Sequence, residues 1–68
     1  MTKELAKIKH GPKIVDALNE DDLYFVHDIQ RVTGLDEKTL RRSLNSLLKN
    51  GYLTKNAHSQ WYIPREVA

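Results

Sequence analysis

The chain has 68 residues, of which 40% are hydrophobic and 29% charged, with no cysteine and a formal net charge of +2. This length predicts a single domain, 1–68, in which folding buries only about 60% of the surface the unfolded chain exposes, so every apolar face needs a partner. No disulfide can staple it, no apolar run approaches the ~20 residues that span a bilayer, and residues 1–7 lack the apolar core of a secretion signal. A cytoplasmic protein is expected, nucleoid-associated if prokaryotic.

Thr2 to His10 predicts a short helix, with Thr2 as cap and Leu5 and Ile8 three apart on one face. This N-terminal extension, 1–10, is too short to stand alone in water. Its Leu5/Ile8 face either covers the core or supplies a dimer contact. Gly11-Pro12 interrupts it. Proline favours the first turn of a helix, so a second helix starts near Pro12, with Ile14, Val15 and Leu18 as its stripe. Asn19 to Asp22 reads as a loop, and Leu23-Tyr24-Phe25-Val26 as a strand stub or ordered turn. Val26, Ile29 and Val32 repeat at three-residue spacing and predict another short helix, closed by Thr33-Gly34.

The next helix is the clearest. Asp36 is a good N-cap, and Glu37 suits the positive end of the helix dipole. Leu40, Leu44, Leu47 and Leu48 form an inward stripe, and Lys49-Asn50-Gly51 is a good ending. After Gly51 the period changes to two. Residues 52–56 and 60–63 predict the strands of a hairpin, with Leu53, Trp61 and Ile63 toward the helices and Pro64 as the stop.

Ile29, Val32, Leu35, Leu40 and Leu44 can meet in one small core, with Gly34 allowing the reversal between the two helices. The whole order resembles a winged helix-turn-helix domain over about residues 12–64, with the helix-turn-helix at 26–50 and the wing hairpin at 52–63. The resemblance implies an α+β, mainly α fold: a three-helix core, a C-terminal β-hairpin wing and a short N-terminal helix. Leu47 to Leu53 is similar to the close of the recognition helix in MarR-like families and small fimbrial-operon regulators. Gly34-Leu35, the leucine stripe, Gly51, and Trp61 followed by Ile63 also resemble the Z-DNA-binding winged-helix family. At that family's helix asparagine and tyrosine this chain has Arg41 and Asn45, and its wing has Ser59-Gln60 in place of two prolines. The winged-helix resemblance implies sequence-specific binding of double-stranded DNA, by a transcriptional regulator of a prokaryote, virus or plasmid, with helix 36–50 in the major groove.

Charge is unevenly placed along the chain. Residues 1–13 carry Lys3, Lys7, Lys9 and Lys13 against Glu4, residues 14–28 carry only acids, and residues 29–55 carry six cations against two acids. A basic patch can face a phosphate backbone. With the leucines inward, Arg42 and Ser46 are expected to point most directly outward, flanked by Lys38, Thr39 and Lys49, with Arg41 and Asn45 to one side. Arginine can bond a guanine edge and asparagine an adenine edge with paired hydrogen bonds, so Arg41, Arg42 and Asn45 are the base-reading candidates. Lys38, Thr39, Ser46 and Lys49 are phosphate candidates, joined by Lys55 and His58 from the wing. Such modules often pair on two half-sites, so a homodimer is allowed.

His10, His27 and His58 lack metal-ligand spacing, and Gly11-Pro12-Lys13 lacks the rest of a phosphate loop. Neither an enzyme nor a metal or small-molecule cofactor is expected. Two other functions fit the same fold. One is a protein–protein interaction module using the acidic residues 16–28. The other is a replication or recombination accessory of a mobile element.

Overall fold

A computed structural model describes residues 3–64. Helices α1 (Lys3–Lys7), α2 (Gly11–Ala17), α3 (Val26–Thr33) and α4 (Glu37–Lys49) precede the two-residue strands β1 (Thr54–Lys55) and β2 (Trp61–Tyr62). The strands pair antiparallel, Thr54 with Tyr62 and Lys55 with Trp61. The fold is therefore mainly helical, a helix-turn-helix followed by a β-hairpin wing. Thr2, the expected cap of α1, lies outside the described residues.

Local chemistry sets the helix ends. His10 sits in the left-handed region (φ 61°) and Pro12 occupies the first turn of α2. Gly11 is buried at this reversal, where an added Cβ would stand 2.8 Å from the Leu5 carbonyl oxygen and 3.0 Å from the Ile8 Cβ. Gly11→Ala should therefore force α1 off α2 and lower stability by about 1–3 kcal/mol. A urea midpoint unchanged from wild type would show that the crowding is relieved without cost.

At the start of α3 the Asp28 carboxylate accepts the Phe25 N–H at 3.0 Å. Gly34 (φ 74°) then ends the helix, its N–H donating to the Gln30 carbonyl at 2.8 Å. α4 opens on Asp36, whose side chain accepts the Thr39 N–H at 3.2 Å. It closes where the Asn50 side chain donates to the Ser46 carbonyl at 2.8 Å and Gly51 turns left-handed (φ 82°).

The core joins Leu5, Ile14, Leu18, Ile29, Leu40, Leu44, Leu47, Leu53 and Trp61. Each fully buried aliphatic among them contributes about 1.5–3 kcal/mol over leaving it in water. Leu5 belongs to this core and Ile8 packs on it half-buried, so the α1 face covers the core.

Two expected core positions face water instead. Val32 is 56% exposed, and its place is taken by Thr33, whose hydroxyl donates to the Ile29 carbonyl at 2.7 Å. The buried face of α3 runs through Ile29 to Thr33, four residues on, and that step turns Val32 out. Leu48 is 37% exposed, while Ser43 is only 4% exposed. Ser43 tolerates burial because its hydroxyl donates to the Lys9 carbonyl at 2.6 Å, so no polar atom is left unpaired.

The stub at 23–26 is resolved as one bridge, in which Tyr24 and Trp61 exchange both backbone hydrogen bonds (2.9 and 2.6 Å). This isolated bridge lies outside the two-stranded sheet and anchors the wing to the front of α3. The wing strands are shorter than 52–56 and 60–63. The amides of Tyr52 and Leu53 both bond the Leu47 carbonyl, so these residues belong to the close of α4 rather than to the ladder.

Candidate nucleic-acid interface

α4 positions four of the eleven basic side chains, Lys38, Arg41, Arg42 and Lys49. With Leu40, Ser43, Leu44 and Leu47 buried, a helix of 3.6 residues per turn sets Lys38, Arg42, Asn45 and Lys49 in one row opposite them. All four are exposed. This corrects the expected outward axis: burial of Ser43 rotates the helix so that Asn45 joins the ridge and Ser46 moves to its side. Among the described residues, Lys38, Arg42 and Lys49 have no carboxylate partner. The Thr39 hydroxyl and amide hold the Asp36 carboxyl below its usual 3.8, so the cap remains an anion at neutral pH.

A hollow lies on each flank of the ridge. One, of about 170 Å3, is lined by Lys9, Thr39, Arg42, Ser43 and Ser46. The other, of about 310 Å3, lies toward the wing and brings Arg41 beside Lys55, with His27, Ser59 and Trp61 among its walls. Arg41 is held there by Glu37, at 2.9 Å one turn earlier. The Lys55 ammonium stands over the Trp61 ring, 5.2 Å from its centre, so the core tryptophan also steadies the wing cation.

The turn of the wing is built by Asn56. Its side-chain oxygen accepts the amides of His58 (2.9 Å) and Gln60 (3.0 Å), and Ser59 takes a left-handed conformation (φ 62°). His58 is exposed at the tip.

The fold thus brings together Lys38, Arg42, Asn45 and Lys49 as one row, Thr39 and Ser46 on one flank, and Arg41 with Lys55 on the other. His58 lines neither hollow. Reasoning from sequence missed Lys9 and His27. Lys9 reaches α4 through a hydrogen bond to a residue 34 positions away, which leaves no local signal. His27 follows from the Tyr24–Trp61 bridge, which sets the front of α3 beside the wing.

Among the described residues no cluster of histidine and carboxylate side chains could hold a metal, and no helix is long and apolar enough to cross a membrane. A family model for bacterial regulatory proteins of the arsR family matches residues 13–55, the stretch from α2 to β1. No curated protein and no solved structure matches the chain.

Proposed function

The chain belongs to the arsR family of bacterial regulatory proteins, which are DNA-binding transcription regulators, and from that premise we propose that it reads duplex DNA sequence-specifically with α4 in the major groove. The observation that carries this reading is the exposed row Lys38, Arg42, Asn45, Lys49, free of carboxylates and flanked on both sides by further cations. A B-form major groove admits one α-helix, and the walls of that groove are phosphates.

Arg42 and Asn45 reach the base edges. Lys38 and Lys49 at the two ends of the ridge, with Ser46 beside it, meet the backbone; Thr39 instead keeps its donors on Asp36. Arg41, already turned toward the wing by Glu37, joins Lys55 and His58 on the opposite strand.

With about four phosphates neutralised by Lys38, Arg41, Lys49 and Lys55, log Kobs should fall with log salt at a slope of about −3 to −4. Fluorescence anisotropy on a labelled duplex across salt concentrations measures it. A flat dependence would contradict the assignment.

A second reading, a protein-interaction module, is favoured by a hollow where Leu23 and Val32 stand exposed beside Asp22, Asp28 and Arg31. Reversing Lys38 and Arg42 to glutamate separates the two. A DNA reader loses its duplex, whereas a partner docked on residues 22–32 is retained in a pull-down.

A further inference from the structure

The hollow between α4 and the α1–α2 turn adds a residue that lies outside the family match. Its walls are Lys9, Thr39, Arg42, Ser43 and Ser46, with no carboxylate among them. Lys9 is an exposed side chain whose backbone is fixed: the buried Ser43 hydroxyl donates to the Lys9 carbonyl at 2.6 Å. That bond places residue 9 against the middle of α4, where Lys9 lines the hollow on the flank of the ridge. The Ser43 proton is spent on this tether, and the Thr39 hydroxyl serves Asp36. The donors left to face the hollow are the Lys9 ammonium and the Ser46 hydroxyl. Arg42 closes the ridge side; its guanidinium can turn to a base edge while its charge still acts on the hollow.

Two cations around a hollow without an acid repel each other until an anion enters. A tetrahedral oxyanion offers several acceptors to such converging N–H and O–H donors. We infer that this hollow is a seat for a phosphoryl group, held by Lys9 and Ser46, with Arg42 adding charge. The inference deepens the DNA-binding reading and rests on it for the source of the phosphoryl group, a backbone phosphate on one wall of the groove that α4 enters.

The test compares Lys9→Gln with Lys13→Gln, an exposed lysine of α2 that does not line the hollow. Both substitutions lie on the surface and leave the Ser43 tether intact. Lys9→Gln should weaken duplex binding about 5–10-fold near 0.1 M salt, equally across sequences, and make the salt slope shallower by about one. Lys13→Gln should do less. A scan of duplexes carrying single methylphosphonate linkages should find one whose neutralisation weakens the wild type but not Lys9→Gln.

A second arm titrates inorganic phosphate and follows the amides of Thr39, Ser43 and Ser46 by NMR. If duplex binding ignores Lys9 but phosphate shifts these amides saturably in the wild type alone, the seat serves a free phosphoryl ligand. If wild type binds duplex and Lys9→Gln matches Lys13→Gln in both arms, the seat is overturned and the DNA-binding role of α4 survives. If wild type binds no duplex, that role falls, and the phosphate arm alone decides the seat.

Discussion

Leu44→Ala should cost about 2–5 kcal/mol, because it removes a fully buried side chain and leaves a cavity that the surroundings only partly refill. For 68 residues, at about 0.05–0.15 kcal/mol per residue, the entire stability is on the order of 3–10 kcal/mol. One leucine thus holds a large share of it. The loss follows from position: Leu44 lies at mid-α4, in the same core as Ile29 of the preceding helix and Leu53 and Trp61 of the wing. Truncating it loosens the ridge as well as the core. Urea unfolding followed by circular dichroism reads the effect. The exposed Leu48→Ala should cost much less, and equal costs for the two would show that the buried face of α4 has been misplaced.

Arg42→Ala should weaken specific duplex binding by about 1–3 kcal/mol, roughly 5–150-fold. Arg42 stands mid-ridge, exposed and without a carboxylate to restrain it, where a helix in the groove meets base edges. The loss should be larger for the bound site than for non-specific duplex, relaxing discrimination at one base position on top of the smaller uniform loss that follows from removing a charge beside the phosphate seat. Anisotropy against a panel of single-base variants of the bound site distinguishes this from a phosphate contact, which weakens all sequences alike. Unchanged affinity would remove Arg42 from the reading set and leave Asn45.

Most of the fold was legible because it rests on local signals. Asp36 and Gly51 bracket α4, Gly11-Pro12 and Gly34 mark reversals, and the change of period after Gly51 announces the wing. Leu53 and Trp61 go inward as their alternation implies.

What stayed hidden depends on partners distant in sequence. Polarity alone assigns Ser43 to the surface and Leu48 to the core. The carbonyl of Lys9 reverses that, by satisfying a hydroxyl that would otherwise resist burial. Thr33 displaces Val32 for a related reason, its hydroxyl being satisfied by the Ile29 carbonyl one turn back. The Tyr24–Trp61 bridge joins two segments that share no local pattern.

The candidate site was legible as a set of residue types on one helix. Its layout was not, since a rotation fixed by Ser43 decides which side chains form the ridge and which the flanks. Arg41 illustrates the limit: its pairing with Glu37 follows from i, i+4 spacing, but its place beside Lys55 requires the wing to be folded back.

Titrating isotope-labelled protein with duplex DNA at low and high salt, and mapping the amides that shift, probes the role of α4 more directly than any substitution. Saturable shifts along residues 38–49 and in the wing at 55–61, fading as salt rises, are the expected result. Shifts gathered at residues 20–32 with α4 silent would contradict it.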